Sequence, residues 1–213
     1  TSGGTPVRGL GAADFEVRDN GRLQVLDPIL EEETPVDAIL VLDTSGSVNG
    51  PKLDALKAAG RAFLDGLREG EQAALLAFHH EVQLLEPLTA DVGAVRRALD
   101  RASPRGSTAL VDAVYSALRL REPGERRTAI VVFSDGLEMP KAVASAQAMK
   151  AALKDNICIY VVQVGPDKMT TEFPQGEGKA LLDKVVKAGE CGALVNAKDV
   201  ETAAGMAAFV EKI

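Results

Sequence analysis

The chain has 213 residues, a net charge of −7, 46% hydrophobic residues and only 4% aromatics. That length allows one large domain with a sizeable core, and a core of Leu, Val, Ile and Ala suits a helix-covered parallel sheet better than a small β-sandwich. The acidic balance excludes broad binding to a nucleic-acid backbone, and no apolar run approaches the roughly 18 residues of a membrane span.

The chain begins at Thr1 without an initiator Met or a signal peptide, and reads as a piece of a longer protein. In residues 1–35, Phe15 and Val17 alternate with polar residues, Asp19-Asn20-Gly21 interrupts, and Leu23 and Val25 resume the alternation. This pattern predicts a β-hairpin. A two-residue turn would set Val17 opposite Gln24. A three-residue loop with Gly21 left-handed pairs Val17 with Leu23 and Phe15 with Val25, keeping one apolar face, and is the expected register. Glu31, Glu32 and Glu33 before Pro35 read as a solvated connector, which puts the domain boundary between 35 and 36.

From Val36 onward strands alternate with helices. Ala38 to Leu42 is a continuous apolar run, as a central parallel strand requires. Leu53, Leu56, Phe63, Leu64 and Leu67 recur at helical spacing, and Gly70 follows as a stop. Residues 73–78 and 82–86 read as strands joined tightly around His79 and His80, which are expected to be exposed turn residues away from Asp43. Helices are expected at 95–101, 109–120, 142–154, 179–188 and 199–212, and strands at 128–133, 157–164 and 193–196. Such alternation implies an α/β fold, a mostly parallel sheet wound on both faces. Ligands bind such sheets beyond the carboxyl ends of the strands.

Small oxygen-bearing residues cluster at those ends. Asp43-Thr44-Ser45-Gly46-Ser47 follows the first buried run, Ser134-Asp135-Gly136 follows the run ending at Phe133, and Gly106-Ser107-Thr108 opens the helix from Ala109. This chemistry suits a hard divalent cation. Mg²⁺ takes about six oxygens at about 2.0–2.1 Å and gives up water reluctantly. Ser45, Ser47 and Thr108 supply neutral hydroxyls, while Asp43 and Asp135 can hold bound waters and balance charge. An ion touched by few carboxylates stays electrophilic and favours an incoming one.

The run Asp43-Thr44-Ser45-Gly46-Ser47 resembles the DxSxS motif of von Willebrand factor type A domains. Thr108 and Asp135 match that family's second and third loops. Together they resemble a complete metal-ion-dependent adhesion site over residues 36–213. The resemblance implies a Rossmann-like sheet of six strands, five parallel and one short antiparallel edge strand. It also implies metal ligation by Ser45, Ser47 and, in at least one state, Thr108, with Asp43 and Asp135 bridged through water. The segment from Asp14 to Gly21 is similar to a β extension that precedes this domain in many exported bacterial proteins, which implies an extracytoplasmic location. In some relatives the last helix, here 199–212, shifts when the ion gains a ligand.

The function so implied is a non-catalytic binding module. It would hold Mg²⁺ (or Mn²⁺ or Ca²⁺) and take a partner protein's Asp or Glu, without nucleic acid and without membrane insertion. The alternatives are a structural module with a vestigial site and a metal-assisted hydrolase. Against catalysis, no Lys stands at a phosphate-gripping spacing, no Gly-rich phosphate loop is visible, and Ser45 has no evident base. Cys158 and Cys191 fall on neighbouring strands at the end opposite the metal motif, as a disulfide or as two buried thiols. Residues 166–178 read as a polar loop on the metal side, and Leu137 to Pro140 border the site.

Overall fold

The computed structural model describes residues 11–25, 35–120, 126–136, 157–165, 185–187, 191–200 and 203–210. Backbone packing divides the chain into two units, Thr1–Thr34 and Pro35–Ile213.

In the first unit, β1 (Arg18–Asp19) pairs antiparallel with β2 (Arg22–Leu23). Arg18 faces Leu23 and Asp19 faces Arg22, and the Gln24 amide donates to the Val17 carbonyl at 2.9 Å. This is the two-residue turn, so the expected pairing of Val17 with Leu23 is overturned. Asn20 (φ 48°) and Gly21 (φ 81°) both take the left-handed conformation of a type I′ turn, which the twist of a hairpin prefers. An apolar face fixes register only where it is buried. Here Phe15, Val17, Leu23 and Val25 are all exposed, Val25 almost completely, so turn chemistry decides.

The second unit is built on a six-stranded sheet. Its strands are β3 (Val36–Asp43), β4 (Gln72–Phe78), β5 (Val82–Thr89), β6 (Arg127–Ser134), β7 (Ile157–Gln163) and β8 (Leu194–Asn196). They lie in the order β5-β4-β3-β6-β7-β8. Only β5 runs antiparallel. At eight residues it is as long as β3, not the short edge expected. From β3 the chain steps outward through β4 to β5, then crosses back to β6 on the other side of β3. The carboxyl ends of β3 and β6 therefore flank the point where the winding reverses, the place where open α/β sheets form a ligand crevice.

All eight residues of β3 are buried, which explains why its apolar run shows no alternation. Its side chains nevertheless divide between two cores. Ala38, Leu40 and Leu42 pack with α1 (Pro51–Asp65), α2 (Val92–Arg101) and the C-terminal helices. Ile39 and Val41 pack with α3 (Leu110–Leu120) through Leu110, Val111 and Val114. Where a single helix is expected at 199–212, two are found, α4 (Ala197–Val200) and α5 (Ala203–Val210). The Asn196 carboxamide oxygen accepts the Lys198 amide at 3.0 Å, which starts α4 before Asp199. Phe209 of α5 meets Phe63 and Tyr160 edge-on, with centroids 6.4 and 5.6 Å apart. Residues 185–187 are helical. The helix expected at 142–154, the loop 166–178 and residues 137–140 lie outside the described residues.

At the end of the sheet away from the Asp43 loop, Cys158 and Cys191 form a disulfide with Cα atoms 4.5 Å apart. The Ile159 amide donates to the Cys191 carbonyl at 2.9 Å. A Cβ at Gly192 would overlap the Ile159 carbonyl, so glycine lets the two chains run this close. Near the same end Asp37, 6% exposed, accepts from Arg126 Nε at 2.6 Å, and Arg126 Nη2 donates to the Gly70 carbonyl at 2.8 Å.

Candidate metal centre

β3 and β6 deliver their functional side chains at adjacent strand ends. Asp43 is the last residue of β3 and is fully buried. Its Oδ1 accepts the Ser45 amide at 2.8 Å, and its Oδ2 accepts the Ser134 hydroxyl at 2.6 Å. The Gly136 amide in turn donates to Ser134 Oγ at 3.0 Å. No cation pairs with Asp43 among the described residues. Burial dominates its chemistry and raises its pKa to about 6, opposed by the bonds from Ser134 and Ser45 and reinforced by the charge on Asp135.

The two serines converge. Ser45 Oγ and Ser47 Oγ lie 2.9 Å apart, and Ser47 Oγ donates to Asp135 Oδ1 at 3.2 Å. Thus Asp43, Ser45, Ser47 and Asp135, drawn from two loops, form one hydrogen-bonded cluster. Two neighbouring ligands of an octahedral Mg²⁺, each at about 2.1 Å, stand about 3.0 Å apart by simple geometry. The Ser45–Ser47 separation fits that requirement. A buried carboxylate lacking a counter-cation, set beside paired hydroxyls, is the donor chemistry a hard dication needs. Among the described residues no group of three or more His, Cys, Asp and Glu side chains could hold a metal; this cluster is built mainly on hydroxyls.

Thr108 approaches through its loop. The Gly46 amide donates to the Gly106 carbonyl at 2.9 Å, and the Arg105 amide donates to the Thr44 carbonyl at 2.7 Å. A Cβ on Gly46 would stand only 3.2 Å from the Gly106 carbonyl oxygen, so glycine permits this clasp. Thr108 is buried at 8% exposure. No hydrogen bond joins its hydroxyl to the other four side chains among the described residues.

Several contributors were not singled out in the sequence. Ser134 anchors Asp43. Thr44 fastens the first loop to β4, its amide and hydroxyl both donating to the Phe78 carbonyl at 2.8 and 2.9 Å. Lys52 Nζ lies 2.8 Å from Asp135 Oδ2 and donates to the Ser47 carbonyl at 3.0 Å. The histidines depart from expectation. Asp43 pairs in register with Phe78, so His79 stands beside the first loop rather than away from it. His79 is buried at 4% exposure, because its amide donates to the Glu81 carbonyl and its Nδ1 accepts the Glu81 amide, folding the turn inward. Burial lowers its pKa. Its Nε2 has no partner among the described residues. His80 is exposed and fills the space over Gly106. Beside this loop a cavity of about 200 Å³ is lined by Thr44, His79, Gln83, Arg101 and Arg105, among others. Neither arginine forms an ion pair among the described residues.

Residues 38–138 match the sequence profile of the von Willebrand factor type A domain, a stretch that includes all five expected site residues. The chain carries a von Willebrand factor type A domain. An uncharacterized protein of Synechocystis is 26% identical over 110 residues, covering 50% of this chain and 26% of that protein. Mouse inter-alpha-trypsin inhibitor heavy chain H2 is 25% identical over 161 residues, covering 67% of this chain and 16% of its own length. This chain thus spans about a quarter and about a sixth of these two relatives. Among solved structures, an aerotolerance-related membrane protein from Bacteroides fragilis superposes with a TM-score of 0.67 at 23% identity, over 83% of this chain and 98% of the other. That likeness speaks for the fold. Von Willebrand factor type A domains typically act as protein-interaction modules.

Proposed function

We propose that this domain is a non-catalytic, divalent-metal-dependent protein-binding module in which a partner's Asp or Glu carboxylate completes the coordination of a bound Mg²⁺, with Mn²⁺ or Ca²⁺ as substitutes. The observation that carries this reading is the fully buried Asp43, without a cationic partner among the described residues, beside the Ser45–Ser47 hydroxyl pair. Ser45, Ser47 and Thr108 would offer hydroxyls to the ion, and Asp43 and Asp135 would hold its waters. A bound dication supplies Lewis acidity toward an oxygen anion. Two features favour an acidic partner. Few carboxylates would touch the ion directly, and Arg101 and Arg105 line a cavity beside the same loop. The reading is tested by partner capture with and without EDTA, in wild type and Ser45→Ala. Binding abolished by EDTA and by the substitution supports it; full binding in EDTA overturns it.

We place the domain outside the cytoplasm. A disulfide between Cys158 and Cys191 suits an oxidising compartment. Similar chains include a membrane protein of Bacteroides fragilis and a pilus tip protein of Porphyromonas gingivalis. Among the described residues no helix is long and apolar enough to cross a membrane.

A further inference from the structure

We propose that Lys52 is a resident counter-charge that sets the balance between metal affinity and carboxylate affinity at this site. The inference rests on the metal-binding reading above and names a residue that governs it.

Lys52 is the second residue of α1. A cation in the first turn of a helix is electrostatically disfavoured, since the positive end of the helix dipole lies there. Its placement is explained by what it reaches: Asp135 Oδ2 at 2.8 Å and the Ser47 carbonyl at 3.0 Å. The Asp135 side chain is only 3% exposed, against 35% for Lys52, so the ammonium brings compensating charge to a carboxylate cut off from water. The contacts also divide the labour of Asp135. Oδ2 holds the lysine, while Oδ1 accepts from the Ser47 hydroxyl and faces the cluster.

The charge count gives the consequence. Asp43 and Asp135 bring two negative charges, and Lys52 returns one positive charge. A dication entering that set leaves the site with one net positive charge, which an external carboxylate neutralises. Without Lys52 the loaded site is already neutral, so it holds the ion more tightly and attracts an anion less. A lysine that merely stapled α1 to the third loop would act differently: its loss would loosen the cluster and weaken both.

The opposite signs make the test. Mn²⁺ is titrated into metal-free wild type, Lys52→Met and Lys52→Arg, with binding read from the relaxation of water protons. Acetate is then titrated into each Mn²⁺-loaded protein, where displaced metal-bound water reports carboxylate binding. Circular dichroism verifies that each variant is folded. One unit charge removed from a partly solvated site should tighten Mn²⁺ binding on the order of tenfold in Lys52→Met and weaken acetate binding in the same variant. Lys52→Arg, which keeps the charge, should stay within about threefold of wild type for Mn²⁺. Unchanged or weaker Mn²⁺ binding by Lys52→Met overturns the role of Lys52 alone. No Mn²⁺ uptake by wild type overturns the metal-binding reading, and this inference with it.

Discussion

Strand β3 carries a buried aspartate near each end, and the two are treated differently. Asp37, near the amino end, lies 2.6 Å from the Arg126 guanidinium, which also binds the Gly70 carbonyl. Asp43, at the carboxyl end, is more deeply buried, is held by the neutral donors of Ser45 and Ser134 among the described residues, and has its pKa raised to about 6. The same side chain on the same strand is satisfied at one end and left in electrostatic need at the other. The amino end also carries the disulfide, whereas the carboxyl end carries the paired serines. One end of the sheet is built for stability. The other spends some of that stability on holding a charge that a ligand can answer, as functional sites commonly do.

Substitutions at the two ends should therefore have opposite signs. The largest effect is expected at the disulfide. Its cysteines are separated by 33 positions, so the Cys158→Ala/Cys191→Ala variant should lose about 3–4 kcal/mol in urea unfolding, while Mg²⁺ affinity stays at the wild-type value. A large loss of metal affinity would show that the two ends are not independent. Next, Arg126→Met should strand the Asp37 carboxylate. The arginine side chain is 35% exposed, so the expected loss is discounted to about 2 kcal/mol. Adding Asp37→Asn should restore part of it, measured in the same assay as a double-mutant cycle.

The smallest effect has the reverse sign. Asp43→Asn should stabilise the metal-free protein. The folded pKa of Asp43 is raised from 3.8 to about 6, so ionising it in the fold costs stability. That cost is absent below about pH 4, where both folded and unfolded forms are protonated, and full above about pH 6. A shift of that size corresponds to about 3 kcal/mol at most, and relaxation and water entry around a buried charge reduce it, so the gain from Asp43→Asn should be about 1–2 kcal/mol at pH 7.5 in EDTA and vanish near pH 4. Thermal melts of both proteins across that range check it; a gain that grows toward acid pH would contradict the assignment.

Much of this contrast could be read from the sequence, for definite reasons. Buried parallel strands carry uninterrupted apolar runs, so residues 38–42 and 128–133 announced themselves, and the polar residues after them had to lie at strand ends. That logic puts Asp43, Ser45, Ser47 and Asp135 at one edge of the sheet. It failed where burial did not constrain the chain or where tertiary reach mattered. The hairpin of Arg18 to Leu23 has no buried face, so its register followed the Asn20-Gly21 turn. His79 looked like a turn residue and became buried through bonds to Glu81 two positions away. Ser134 stood in the third motif, but its bond to Asp43 spans 91 positions. No local pattern marks Lys52, because the aspartate it reaches is 83 positions away.

The central claim is that Asp43, which has no cationic partner among the described residues, is kept ionisable so that the site can take up a dication. Calorimetric titration of Mg²⁺ into EDTA-stripped wild type and Asp43→Asn at pH 7.5 tests it most directly. The account predicts one saturable site in wild type and binding weakened beyond detection in the variant, even though the variant is the more stable protein. Equal Mg²⁺ affinity in the two, or no uptake by the wild type, would contradict it.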